Sequence, residues 1–478
     1  MKKILLAASE CVPFIKTGGL ADVVGELPRY INKDEYDVRV IIPNYKAVPA
    51  VHKNKMEYVG SFYMELAWRK QYVGVLKIVE NGVTYYFIDN EYYFAGDRPY
   101  GEIYQDIEKF AFFDRAVLSC LPMIDFWPDI LHLNDWQTGL IAVYLKDVFA
   151  QNEKYRGIKT IMTIHNLKFQ GVWNKKTVAD ITGLSDYYFT SDKLEAYGDA
   201  NYLKGGIVYS DYITTVSDTY ANEIKTPFYG EGLDGILNAR HESLQGIVNG
   251  IDTKVYNPAT DKYLAYNFDK TNFRTIKKKN KKLLQEELGL KVDDKCFMLG
   301  IVSRLTDQKG LDLVECVIEE ICDTDTQLVI LGTGDPKYEN LFRHYEWKYK
   351  DRVSSSICYS DERAHKIYAS IDAYLMPSLF EPCGLSQIMS MRYGSIPIVR
   401  ETGGLKDTVI PYNEYEQTGT GFGFCNYNAH EMLATIRYAK SVFYNNKRSW
   451  NKLVERAMDA DFSWATQAKK YEELYSRI

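Results

Sequence analysis

The sequence contains no apolar run approaching the ~20 residues that span a bilayer, so a membrane is not an expected partner. Its eight cysteines are Cys11, Cys120, Cys296, Cys316, Cys322, Cys358, Cys383 and Cys425. None forms a C-x-x-C pair, which removes the usual signal for a zinc site or a redox dithiol. There is no basic excess: the formal net charge is −6. A protein that grips nucleic acid by its phosphates carries such an excess, so nucleic acid is not an expected partner either. H-E-x-x-H and comparable metal motifs, solenoid repeats and low-complexity tracts are also missing. The opening MKKILLAASECVPF has lysines and a short apolar run, as a secretory leader does. The run is too short and no small-residue cleavage site follows, so it reads as a first β-strand. Together these absences imply a reducing, cytoplasmic setting.

What is present is a globular composition, 46% hydrophobic and 26% charged. A chain of 478 residues exceeds one ordinary core, and two domains of about 200 residues each are expected. Short apolar, β-branched runs alternate with helical patterns. ILLAA, VRVII, ILHL and IMTI fall in the first half; FMLGIV, LVIL, AYLM and IPIV fall in the second. Such continuous runs between helices predict parallel sheets covered on both faces, an α/β fold. The rhythm breaks over 249–290, where Pro, Asn and Asp precede a charged helix ending near Gly289. The expected division is therefore 1–253, a linker over 254–290, and 291–461. KKKNKK, at 277–282, reads as a solvated helix face. Ser463 is a plausible N-cap for a final amphipathic helix over 462–478.

Several polar residues stand just past expected strands, where open parallel sheets bind ligands. Gly18 and Gly19 in KTGGL open a helix whose free N–H groups, with Lys16, suit a diphosphate; close strand-to-helix packing explains a glycine pair equally well. Thr402, Gly403 and Gly404 repeat the pattern in the second half. Asp135 follows ILHLN, and His165 and Asn166 follow IMTI; each also fits a cap or structural role. Arg304 and Lys309, five residues apart, can clamp two phosphates. Glu381 precedes Cys383, Gly384 and Leu385 at a helix start, setting a carboxylate beside amide donors, a mixture suited to sugar hydroxyls. The D-x-D pattern Asp323-Thr324-Asp325 lies before a strand rather than after one and reads as a turn, not a metal site.

Taken together, KTGGLADVVGELP, HLNDWQTGL, TIHNLKFQG, GIVNGID, SRLTDQKG, FEPCGLSQIMSMRYG and RETGGLKDTV resemble the bacterial glycogen synthases and plant starch synthases that use ADP-glucose. The likeness runs the full length of the chain. It implies the GT-B architecture, two Rossmann-like domains facing across a cleft, with the last helix returning to the first domain. It implies transfer of glucose from ADP-glucose to an α-1,4-glucan such as glycogen, with retained configuration and without a metal or other cofactor. By resemblance, Arg304, Lys309 and the Thr402-Gly403-Gly404 loop hold the diphosphate, with Lys16, Gly18 and Gly19 reaching in from the first domain. Glu381 and the amides of Cys383, Gly384 and Leu385 grip glucose; Asp135, His165 and Asn166 line the sugar and acceptor side. Tyr359 stacks on the base, and Asn249, Thr333 and Gly334 complete the substrate contacts. Position 389 is Met where related transferases carry a second glutamate, which leaves the ribose contact unassigned. Glu381 as a nucleophile and front-face attack assisted by the leaving phosphate are both open routes, the second favoured by the resemblance. A UDP-glucose transferase of sucrose-synthase type, a phosphorylase or epimerase, and a non-catalytic glucan-binding relative are the competing readings. Oligomeric state is not legible.

Overall fold

The computed structural model describes residues 1–323 and 325–478, which separate into two compact units. The first contains residues 1–216, 221–247 and 464–478; the second contains 217–220 and 248–463. Each is built on one extended sheet, as continuous apolar strands separated by helices require.

In the first unit nine strands are β1 (Lys2–Ala7), β2 (Tyr36–Pro43), β3 (Glu57–Leu66), β4 (Arg69–Glu80), β5 (Val83–Asp89), β6 (Ile130–Asn134), β7 (Lys159–Ile164), β8 (Tyr212–Thr215) and β9 (Leu244–Gly246). Their order is β9-β8-β7-β6-β1-β2-β5-β4-β3. All pairs are parallel except β3 with β4 and β4 with β5. The order reverses between β1 and β6, so a crevice opens beyond their carboxyl ends. The helix Trp464–Arg477 packs in this unit, burying Trp464, Tyr471, Leu474 and Tyr475. The Tyr475 hydroxyl meets His132 Nδ1 at 2.8 Å, and Lys2 Nζ donates to the Tyr475 carbonyl at 2.8 Å.

The second unit has six parallel strands: β10 (Phe297–Val302), β11 (Thr326–Leu331), β12 (Val353–Ser356), β13 (Ala373–Met376), β14 (Ile396–Arg400) and β15 (Phe422–Phe424). Their order, β12-β11-β10-β13-β14-β15, is the doubly wound 3-2-1-4-5-6 arrangement, with its switch point between β10 and β13.

Two sequence expectations need correction. Residues 254–290 are not a linker but an integral part of the second unit: Leu264, Phe268, Phe273, Leu284 and Leu290 join its core. Asp261 ties them in, accepting from Tyr393 Oη at 2.5 Å and meeting His365 Nδ1 at 2.6 Å. Nor is KKKNKK a uniformly solvated face. Lys278, Lys279 and Lys282 are exposed, but Lys281 is buried and bonds Asp372 at 2.6 Å. Lys277 donates to the carbonyls of Tyr368, Ala369 and Tyr393. The i, i+4 spacing puts both ammonium groups over the carbonyls and carboxylate at one sheet end, which local composition does not reveal. In the D-x-D segment Thr324 lies outside the described residues; Asp323 and Asp325 both pair with Lys440, at 2.8 and 2.6 Å.

Candidate active site

The first unit presents its polar groups past β1, β6 and β7. After β1 the chain loops to the helix Gly19–Tyr30, with Gly18 as an N-cap that supplies no side chain. Glu10, 3% exposed, folds back onto this loop and accepts from the Thr17 amide and, at 2.7 Å, from its hydroxyl. Burial raises the Glu10 carboxyl pKa against the lowering effect of these bonds. Lys16 is paired with Asp22 at 2.8 Å. Ser9 Oγ and Tyr100 Oη lie 2.7 Å apart beside them.

Asp135 follows β6 with φ 59°, a left-handed conformation that costs a residue with a Cβ about 1–3 kcal/mol and concentrates at functional sites. Its carboxylate reaches across to β7 and accepts from the His165 amide at 2.7 Å. Burial pushes this carboxyl up to about 7, against the amides of His165 and Asn166. His165 Nε2 lies 2.9 Å from Asn134 Oδ1. The Asn134 amide is oriented by donating from Nδ2 to the carbonyls of Ala7 and His132, so Nε2 of His165 carries the proton. Burial pulls His165 down to about 3, so the ring is neutral and its Nδ1 is the basic nitrogen. Beneath it His132, also pulled down to about 3, joins Thr163 Oγ1 at 2.6 Å, which continues to Thr214. Asn166 Oδ1 accepts from the Lys168 amide in an Asx turn.

The second unit places its groups on both sides of its switch point. Past β10, the Arg304 side chain is exposed and makes no hydrogen bond or ion pair among the described residues. Lys309 bonds Glu381 Oε2 at 2.6 Å, and Ser378 Oγ donates to the same oxygen at 3.0 Å. Glu381 follows β13, so the pair bridges the two strands that flank the crevice. Gly310 makes this possible: at φ +68°, a Cβ there would sit 2.0 Å from the Pro377 carbonyl oxygen. The amides of Cys383, Gly384 and Leu385 donate to no group among the described residues, leaving a row of donors beside the Glu381 carboxylate at the start of the helix Ser386–Arg392. Asn249, almost fully buried, belongs to this neighbourhood. Its backbone N–H contacts the Cys383 thiol, which burial pushes up to about 12.

The Thr402-Gly403-Gly404 loop lies directly on this segment, and here the packing reading of the glycines holds for one amide. Gly404 N donates to the carbonyl of Glu381 at 3.0 Å and is not available to a diphosphate. A Cβ on Gly403 would lie 1.9 Å from the Glu381 carbonyl oxygen. Gly334 is likewise engaged: its amide donates to Glu339 at 3.0 Å and it abuts the Leu305 carbonyl, while the Thr333 carbonyl accepts from Leu305 N. Tyr359 stands past β12, 77% exposed, with its hydroxyl on Asp361. Among the described residues no group of three or more His, Cys, Asp and Glu is placed to hold a metal.

Sequence reasoning missed Glu10 and Asn134. Glu10 stands just past β1, a position that flagged other residues, but its contact with Thr17 exists only once the loop has folded. Asn134 acts across strands on His165.

Comparison with known proteins places the whole chain in one family. Residues 3–239 match the starch synthase catalytic domain family, and residues 281–452 match the glycosyl transferases group 1 family. The chain is 67% identical to the glycogen synthase of Lachnoclostridium phytofermentans over the whole of both chains. It is 49% identical to that of Anoxybacillus flavithermus, over all of this chain and 98% of the other. The catalytic domain of starch synthase IV from Arabidopsis thaliana, solved bound to ADP and acarbose, superposes with a TM-score of 0.91 at 32% identity, covering 100% and 99% of the two chains. Sucrose-phosphate synthase from Thermosynechococcus elongatus shares the fold alone, at TM-score 0.63 and 17% identity.

Proposed function

Since the chain belongs to the glycogen synthase and starch synthase family of glycosyltransferases with the GT-B fold, we propose that its donor is ADP-glucose and its acceptor the non-reducing end of an α-1,4-glucan. The observation that carries this reading is the Lys309–Glu381 pair at the switch point, with the free amides of Cys383, Gly384 and Leu385 beside it. Lys309 spends one N–H on Glu381 and keeps two for a phosphate oxygen. Arg304, with its guanidinium uncommitted, supplies a planar fork for the same diphosphate. The ADP in the Arabidopsis structure supports a nucleoside diphosphate as the ligand of such a site.

Glu381 holds glucose rather than attacking it. Its Oε2 already accepts from an ammonium and a hydroxyl, which lowers its power as a nucleophile and leaves Oε1 to accept from a sugar hydroxyl. The acceptor oxygen then attacks the anomeric carbon on the face from which ADP departs. The C1–phosphate oxygen bond breaks, the new C1–O4 bond forms, and the acceptor proton passes to a β-phosphate oxygen of the leaving ADP. Lys309 and Arg304 stabilise the charge that develops there, the role that preorganised donors play in a transition state. No metal is needed in this scheme.

The test is a donor panel with glycogen as acceptor, following nucleotide release and polymer growth together. ADP-glucose is expected to be used well above UDP-glucose, with one nucleotide released per glucose added. Equal use of both donors overturns the donor assignment, and glycogen binding without nucleotide release overturns the reaction.

A further inference from the structure

At the amino ends of the second unit's strands, the end of the sheet opposite the catalytic residues, lies a cavity of about 280 Å³. It is walled by the helix Phe273–Leu288, the helix Lys447–Asp459, Phe443 and the residues that precede β10 and β13. Cations dominate its lining, and most are matched. Arg274 pairs with Glu455 at 2.5 Å, Lys278 with Asp294 at 3.0 Å and Lys281 with Asp372 at 2.6 Å.

Two are not. Lys277 donates only to uncharged oxygens: the carbonyls of Tyr393, Ala369 and Tyr368 and the hydroxyl of Ser395, at 2.9 to 3.3 Å. Lys447 lies 3.6 Å over the Phe443 ring and has no ion pair among the described residues. Desolvation lowers the pKa of both ammonium groups, that of Lys277 to about 7, with Asp372 acting the other way. Lys277 is half-buried and Lys447 exposed, and neither has a carboxylate bonded to it among the described residues, so an anion entering the cavity would meet cations that no counterion neutralises. Phe273 and Trp450, both rooted in the core, add apolar edges to the lining.

We propose that this cavity binds a small phosphomonoester, its phosphate at the Lys447 ammonium within the field of Lys277 and its organic part against Trp450 and Phe273. The site shares no residue with the catalytic set, so it stands or falls independently of the donor assignment.

Phenyl phosphate, orthophosphate and benzyl alcohol are titrated separately into the full chain, following tryptophan fluorescence and the melting temperature. The same titrations are run on Lys447→Glu and Lys309→Ala. Lys447 is exposed, so its variant is expected to melt as the parent does without ligand. Phenyl phosphate should bind the parent and Lys309→Ala alike, and Lys447→Glu about tenfold or more weakly, as the loss of a charged contact implies. Orthophosphate should bind more weakly than phenyl phosphate, and benzyl alcohol should not bind. Equal binding to Lys447→Glu, loss in Lys309→Ala, or no saturation in the millimolar range overturns the proposal. Orthophosphate binding as tightly as phenyl phosphate overturns the phosphomonoester assignment in favour of the free ion.

Discussion

Lys309 and Glu381, separated by 2.6 Å, form the pair on which the proposed chemistry depends. Lys309→Ala removes a transition-state donor and leaves a buried carboxylate without its cation. Turnover should fall at least ~100-fold, the usual loss on removing one such donor, as read by ADP release at saturating donor. In the first unit, pH dependence separates three groups. His132 and His165, held near 3 in the fold, are ordinary histidines when unfolded. Their contribution is fully present above about 6.5 and is lost as pH falls towards 3. Asp135, raised to about 7, acts in the opposite sense, favouring the fold as pH falls below 7. Melting temperature should therefore drop between pH 7 and 4, and drop more steeply in Asp135→Asn, which lacks the opposing term. An equal or shallower slope in that variant would contradict the assignment. That Arg304, Lys309, Glu381, Asp135 and His165 lie past strand ends was legible in the sequence, because the apolar runs before them mark the strands and ligands bind beyond strand ends. The engagement of the Gly404 amide was not, since its partner, the Glu381 carbonyl, is 23 residues away in sequence.

At the scale of elements, the apolar runs mark the strands closely. FMLGIV and AYLM coincide with β10 and β13, and the others differ by one or two residues at an end. The fold class followed because buried parallel strands leave that signature and little else does. The helix Phe273–Leu288 shows the opposite limit. A run of lysines reads as solvent-facing, yet Lys281 is buried because the sheet end offers it Asp372 and the Cys296 carbonyl. Removing one partner of a buried ion pair costs about 3–5 kcal/mol. Lys281→Ala should destabilise the second unit by that amount in denaturant melts, whereas Lys282→Ala, on the exposed face, should change stability by less than about 0.5 kcal/mol.

For the whole molecule, the proposed scheme predicts full activity in EDTA, since Arg304 and Lys309 are assigned the work that a divalent ion does elsewhere; lost activity restored by magnesium would refute it. The helix Trp464–Arg477 buries four large side chains in the first unit. At about 1.5–3 kcal/mol each, they rival the ~5–15 kcal/mol that holds a typical domain together. A chain ending at Ser463 should lose the first unit's cooperative transition, visible in calorimetry, while Tyr475→Phe should cost only about 1–3 kcal/mol by leaving His132 Nδ1 without its partner.

The same helix sets an order on biosynthesis. A ribosome delivers residues 1–247 first, but the segment that covers His132 emerges only after residues 248–463 have been made. The first half of the protein therefore waits, all nine strands delivered but that helix missing, while more than two hundred further residues are translated. Early chain termination anywhere in that interval yields a nascent product with an uncovered apolar face, a substrate for chaperones rather than a half-functional enzyme.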